Sequence, residues 1–324
     1  MRVGFLGVAH MHAWTYMDIL RTLPDVEIVV VAEPDAVLGD KASQRAGAPW
    51  MASPEAALQL GLDAVIVASE NAYHARLVEA AATAGAHVLC EKPLALDADG
   101  AQRMVDACRG AGVLLQTAFP MRYSTPVQRA RDYVRRGALG QLGAMRGTNR
   151  GRNPGGWFVD PVLSGGGAVF DHTVHIIDLM RWFADSEVAE VYAEIDTRFG
   201  DLRVDDCGIL ILQFANGVTA THDPSWSRPA SFPAWGDVTL ECIGTDGSVA
   251  VDAQAQHLHW YQSSAGLRHV PWGDDPDRRM IEDFVRCVRE GGAPLASGED
   301  GLAATKVSLA AYESARLGRP VSLG

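Results

Sequence analysis

The sequence predicts an α/β chain in which a doubly wound parallel sheet comes first and an α+β domain with a large, mostly antiparallel sheet follows. Three observations predict it. Apolar runs of strand length alternate with helical patterns through residue 119, and strands joined by turn dipeptides then follow one another. The length, 324 residues, also exceeds what one core ordinarily fills, so the reading divides the chain into residues 1–119 and 120–324.

Residues 2–6 are apolar apart from Arg2 and Gly4, and Gly7 turns the chain into a helical pattern on Trp14, Met17, Ile19 and Leu20. Residues 26–32 give a second strand ending in Glu33-Pro34-Asp35, and residues 64–68 a third after a helix-compatible segment at 56–60. An Ala-rich helix at 72–84 is closed by Gly85, and the strand 87–90 runs into Glu91-Lys92-Pro93. A helix at 97–110 and a strand at 113–118 complete the series. Strands apolar on both faces imply a parallel sheet covered on each side through right-handed crossovers. The second part opens with a helix at 126–136, a Gly-rich and Pro-rich loop through 167 and another helix. Strands at 188–198, 207–214, 218–223, 238–243 and 248–252 come next, with Asn216-Gly217 and Asp246-Gly247 as turn signals. Helices at 277–290 and 299–317 end the chain, the last of them expected to pack back on the first domain.

With 48% hydrophobic and 21% charged residues the composition is that of a globular protein. A formal charge of −12 offers no basic face to a phosphate backbone, so nucleic acid is not an expected partner. The five cysteines are scattered without a C-x-x-C pair, which suits reduced thiols, and Gly, His and Asp residues interrupt the apolar start. A cytoplasmic protein with no membrane association is the expectation.

The turn from the first strand into a helix is the setting a dinucleotide pyrophosphate needs, because N–H groups at a helix start attract anions. Against G-x-G-x-x-G the sequence reads Gly7-Val8-Ala9-His10-Met11-His12. Ala9 is a small change. The imidazole of His12 is a large intrusion where strand and helix pack. Glu33, at the end of the second strand, is placed to accept hydrogen bonds from a ribose and to oppose a 2′-phosphate, which favours NAD over NADP. Lys92 stands at the carboxyl end of a strand, where open α/β sheets bind ligands.

Gly165-Gly166-Gly167 precedes a helical stretch in which Asp171, His175 and Asp178 share one narrow stripe at about 100° per residue. An imidazole with a near-neutral pKa is the natural base for a hydroxyl proton, and the i, i+4 pair Asp171 and His175 can address one substrate. The three glycines suggest close approach of the backbone to a ligand.

In combination, Glu91-Lys92-Pro93 with Gly-Gly-Gly-x-x-x-Asp171-x-x-x-His175, joined by residues 64–74, Arg122-Tyr-Ser-Thr-Pro126 and Glu282-Asp-Phe284, resemble the glucose-fructose oxidoreductase, inositol dehydrogenase and MocA (Gfo/Idh/MocA) family along nearly the whole chain. The resemblance implies a Rossmann domain and an open-faced sheet domain, hydride transfer between NAD(P) and a hydroxyl carbon of a sugar, cyclitol or polyol, and a homodimer or homotetramer. Carried over by position, Lys92 would orient the reacting hydroxyl, His175 would be the general acid or base, and Asp171 would position substrate and support the imidazole. Glu91 and Pro93 would shape the cofactor pocket, with Ser69, Asn71 and His74 bordering the nicotinamide and Gly7, Ala9, His10, Met11 and His12 forming the phosphate loop. Arg122, Arg152, Asn153 and Trp157 are the substrate candidates. The chain departs from the pattern at the glycines, at Glu70, where the family often has proline, and at His172 and Thr173. The residues also allow elimination or glycoside cleavage with tightly bound NAD, a non-catalytic relative, or a metal enzyme using its many histidines, although no metal site is expected from their spacing.

Overall fold

The computed structural model describes residues 1–264 and 266–323. The chain divides into two compact units, one comprising residues 1–120, 162–165 and 277–305, the other 121–161, 166–276 and 306–324.

In the first unit the strands β1 (Arg2–Leu6), β2 (Glu27–Ala32), β3 (Trp50–Met51), β4 (Ala64–Val67), β5 (His87–Cys90) and β6 (Leu115–Thr117) alternate with α1 (His12–Leu20), α2 (Ala36–Ala46), α3 (Pro54–Leu58), α4 (His74–Thr83) and α5 (Ala98–Ala111). All pairings in this sheet are parallel and the order is β3-β2-β1-β4-β5-β6, so direction of winding reverses between β1 and β4. A crevice at the carboxyl ends of the strands follows from that reversal. Phe5, Val65, Val67, Val88 and Leu89 are fully buried between the helical layers, the burial on both faces that the continuous apolar runs anticipate. Asp35 and Asp97 cap α2 and α5 by accepting from N–H groups of the first turn, and Gly47 and Gly112 close these helices in the left-handed conformation.

The second unit begins with α6 (Thr125–Arg135) and β7 (Leu142–Thr148). After the short α7 (Pro161–Ser164), which ends in the first unit, come α8 (Ala168–Ala184), β8 (Val188–Asp196), β9 (Cys207–Phe214), β10 (Thr219–Asp223), β11 (Thr239–Gly244) and β12 (Ser248–Asp252), then β13 (His257–Gln262) and β14 (Gly266–Pro271). The last elements of the chain are α9 (Pro276–Glu290), α10 (Gly298–Leu317) and β15 (Val321–Ser322). Seven strands form one sheet in the order β12-β11-β7-β10-β9-β8-β15, antiparallel except for β7 beside β10, and β13 pairs with β14 alone. Strand β9 alternates buried Leu210, Leu212 and Phe214 with outward Ile209, Ile211 and Gln213, as a sheet covered on one face requires. Helix α8 covers the buried face.

Two differences from the sequence reading have physical causes. Strand β7 lies in the stretch expected to be loop, because its two glycines and lack of β-branched apolar residues hide it. At Gly147 a Cβ would come within 2.5 Å of Ile176 and 2.7 Å of Met180, so the glycine is what lets α8 lie against the strand. The segment 277–305 belongs to the first unit rather than the second because β6 receives it. Thr117 N–H donates to the Ala296 carbonyl (3.1 Å) and its hydroxyl to that of Ser297 (2.9 Å), while the Gln116 amide donates to the Met280 carbonyl (3.3 Å). Among the described residues no helix is long and apolar enough to cross a membrane.

Candidate active site

The one glycine left in the phosphate loop is the one the fold demands. Gly7 has φ of +77°, and a Cβ there would lie 2.4 Å from that of Ser69. Beyond it, Val8 N–H donates to Glu33 Oε2 (2.9 Å) and His10 N–H to the Ala68 carbonyl (2.9 Å), which fixes the loop over the ends of β2 and β4. Ala9 is partly buried, Met11 is exposed, and the His12 backbone N–H donates to His10 Nδ1 (3.3 Å).

His12 does not wedge between β1 and α1, contrary to expectation. Its ring, a third exposed, reaches Glu91 at the end of β5, with Nδ1 3.0 Å from Oε1. Tyr16, one turn further along α1, donates to the same oxygen (2.7 Å), and His10 Nδ1 lies 3.6 Å from it. Burial opposes a charged His12, but the Glu91 carboxylate outweighs it and holds the imidazole pKa above its ordinary 6.5. Burial likewise opposes an ionised Glu91, and the His10 and His12 rings with Lys92 pull its carboxyl well below the usual range. Because the His12 pKa is raised on folding, the pair's contribution to stability is full below about pH 6.5 and is lost as pH rises through the raised value. The melting-temperature gap between the protein and its His12→Gln variant is therefore expected to be widest in mildly acidic buffer and to narrow toward alkaline pH; a gap that ignores pH would refute this pairing.

Glu33 sits 6% exposed with both oxygens engaged, Oε1 accepting from Asp35 N–H (3.0 Å) and Oε2 from Val8 N–H. It forms one wall of a cleft of about 340 Å³ bordered by Gly7, Asp35, Ser69, Glu70 and Tyr73. The cleft fits the adenosine half of a dinucleotide: a carboxylate with remaining lone pairs lines it, beside the turn at Gly7. Burial pushes the Glu33 carboxyl pKa upward.

On the other side of the crevice His74, expected to border the nicotinamide, is wholly buried with Nδ1 3.0 Å from the Pro93 carbonyl and Nε2 3.2 Å from that of Ser69. It braces the two loops, and desolvation lowers its pKa. Asn71 is buried too, its amide donating to the Ser164 carbonyl (2.8 Å), and the Ser69 hydroxyl donates to the Glu70 carbonyl. Lys92 is 4% exposed, directly after β5, and its peptide bond to Pro93 is cis.

In the second unit, Asp171 and His175 lie one turn apart on α8 and are the partly exposed residues in a stretch whose others, from Ala168 to Met180, are buried. His172 adds a partner that sequence reasoning missed: Nδ1 donates to the Pro224 carbonyl (2.9 Å), which leaves Nε2 facing Asp171 Oδ2 at 3.3 Å, a contact that needs a proton between them. Asp178 does not share the partial exposure of Asp171 and His175. It is 1% exposed and forms a bidentate pair with Arg122, Nε to Oδ2 at 2.8 Å and Nη2 to Oδ1 at 2.6 Å, and the guanidinium lies 5.4 Å from the centre of the Trp182 ring. Burial and this ion pair give Arg122 a structural role in the second unit.

Two of the glycines ahead of α8 make room for the protein's own groups. A Cβ on Gly167 would collide with the Asp205 carbonyl at 1.8 Å, and one on Gly166 with the Tyr312 hydroxyl at 2.4 Å. Asp205 caps the helix from far along the chain, accepting from Gly167 N–H (2.9 Å), Val169 N–H (2.8 Å) and the Tyr312 hydroxyl (2.6 Å). Trp157, a substrate candidate, is partly buried, stacks on Phe158 (centroids 3.9 Å apart) and packs against a cluster with Ala168, Val204 and Trp226. Arg152 donates to the Phe232 carbonyl, and exposed Asn153 accepts from Gly155 N–H (2.8 Å) beside a cleft of about 340 Å³ with Phe199, Asp206 and Arg228.

This geometry has close counterparts. The oxidoreductase family model with an NAD-binding Rossmann fold matches residues 1–119, and the GFO/IDH/MocA C-terminal domain matches residues 127–250. The chain is 28% identical to the myo-inositol 2-dehydrogenase of Thermotoga maritima, covering 100% of this chain and 98% of that one. It is 30% identical to D-xylose 1-dehydrogenase (NADP(+)) 2 of Haloferax volcanii over the full length of both. The crystal structure of GenD2 from gentamicin A biosynthesis, in complex with NAD, superposes with a TM-score of 0.91 at 27% identity, covering 100% of this chain and 96% of that one. Family models thus match both halves of the chain and full-length relatives span it, and the protein belongs to the Gfo/Idh/MocA family of NAD(P)-dependent oxidoreductases.

Proposed function

We propose that this enzyme interconverts a secondary alcohol and a ketone, or a lactol and a lactone, on a sugar, cyclitol or related polyol, using NAD. The observation that carries the reading is the partial exposure of Asp171 and His175 one turn apart on an otherwise buried helix. The nicotinamide, when bound, accepts or delivers the hydride. His175 takes the hydroxyl proton as the hydride leaves the same carbon, and returns it in the reverse direction. Lys92 orients the hydroxyl oxygen and stabilises negative charge developing on it. Asp171 aligns the substrate and supports the imidazole. His10, His12 and Glu91, with Gly7, Ala9 and Met11, shape the cofactor crevice, and Arg152 and Asn153 remain candidates for substrate contact. The outward Ile209 and Ile211, each about half exposed, support a homodimer or homotetramer built on the open face of the seven-stranded sheet.

A panel of sugars, sugar acids and inositols offered with NAD or NADP, followed by the absorbance of the reduced cofactor, is expected to reveal turnover within this substrate class. Failure of the whole panel with both cofactors would overturn the reading. Preference for NAD rests on Glu33. Glu33→Ala is expected to weaken binding of both dinucleotides, since the loop loses two backbone hydrogen bonds, and to weaken NADH more than NADPH. Fluorescence titration of the two reduced cofactors measures this, and an unaltered ratio would remove Glu33 from the specificity role.

A further inference from the structure

Strands β13 and β14 form a hairpin that joins neither large sheet. A two-stranded hairpin by itself is marginally stable in water. On this one, three imidazoles share a face: His257 and His259 are two residues apart on β13, and His269 on β14 lies directly opposite His259. Nε2 of His257 is 3.1 Å from Nε2 of His259, the His257 and His269 rings stack with centroids 3.8 Å apart, and one nitrogen from each of the three lies within 4.8 Å of the others. His257 donates through Nδ1 to the Gln254 carbonyl (3.2 Å), which places the lone pair of the neutral ring on Nε2, toward His259.

We propose that His257, His259 and His269 bind one divalent transition-metal ion of the imidazole-preferring class, Zn²⁺ foremost, with water completing the coordination. Zinc–nitrogen bonds of about 2.0–2.1 Å around a tetrahedron place ligand nitrogens about 3.3 Å apart, close to the separation already present between His257 and His259. The stacked His269 ring must rotate about its χ2 bond to aim at the same point, and its partial exposure leaves room for that. The outer hydrogen bond from His257 to a backbone carbonyl is the support that metal-bound imidazoles ordinarily have. Such an ion ties β13 to β14 across the hairpin and leaves hydride transfer to the other residues. Among the described residues one other group could share an ion, His10, His12 and Glu91, and it belongs to the cofactor crevice.

The test uses the full chain, purified without a polyhistidine tag and stripped with chelator, titrated calorimetrically with Zn²⁺ and spectroscopically with Co²⁺. One tight equivalent per chain is expected, with a rise in melting temperature on Zn²⁺ addition. His259→Gln and His269→Gln are each expected to weaken binding about 10- to 100-fold or more and to abolish the thermal shift, while His12→Gln alters neither. His269→Glu, which restores a ligating atom, is expected to recover most of the affinity, so that a merely unfolded hairpin is distinguished from a missing ligand. Absence of tight binding to the wild type, unchanged affinity in His259→Gln and His269→Gln, loss that tracks His12→Gln, or no recovery in His269→Glu would each overturn the proposal.

Discussion

His175→Ala and Lys92→Ala are each expected to lower kcat by about 10²- to 10⁴-fold while the Kd for NADH stays nearly unchanged. Removing the imidazole leaves water as the acceptor of the hydroxyl proton, so the limb of the pH–rate profile that reports the base should vanish with it. Removing the ammonium takes away charge stabilisation at the reacting oxygen, an effect felt in the transition state more than in binding, so kcat should fall more than KM rises. Rapid-mixing kinetics with fluorescence titration of NADH separates chemistry from cofactor affinity. Unchanged turnover in both variants would sink the assignment. Asp171→Asn is the informative companion: it keeps a hydrogen-bonding group but loses the charge that faces His172 Nε2 at 3.3 Å, so it should slow turnover less than loss of the base itself.

The first unit was legible because its strands are buried on both faces and their apolar runs stand out between helical patterns; the order β3-β2-β1-β4-β5-β6 is what right-handed crossovers make of that rhythm. Strand β7 was not, since Gly147 serves the packing of α8 and its two glycines weaken the local strand signal. The hairpin β13–β14 is rich in exposed polar and aromatic side chains and lacks the alternation of a half-buried strand.

Within the candidate site, local spacing could be read from the sequence and long-range pairing could not. Asp171 and His175 are four apart on a helix, and Tyr16 stands in the same relation to His12, a spacing that could have suggested their common partner. The carboxylate of Glu91 that receives both is more than 70 residues away, and no pattern in α1 points to it. Asp205 illustrates the same limit. The glycines that Tyr312 and Asp205 require at positions 166 and 167 read as a ligand loop because glycine signals close approach without naming what approaches.

Arg122 and Asp178 yield the other large effect, and one that tests whether a charged residue beside α8 is structural. Both side chains are at most 5% exposed, and their bidentate pair satisfies two buried charges at once. Arg122→Ala is expected to remove the bidentate partner of the buried Asp178 carboxylate and destabilise the second unit by about 3–5 kcal/mol, the usual consequence of breaking a buried ion pair from one side. Arg122→Met combined with Asp178→Leu removes both charges and refills their volume, and should recover most of that loss. Denaturant melts of the single and double variants measure this, and activity assays on the folded fraction complete the test. A substrate-binding arginine would behave in the opposite way: Arg122→Ala would raise KM with stability intact, and the double variant would recover nothing. Such an outcome would return Arg122 to the substrate contacts and detach it from Asp178, whereas a stability loss reversed by the double variant identifies the pair as the clamp that holds α8, and with it Asp171 and His175, against the start of α6.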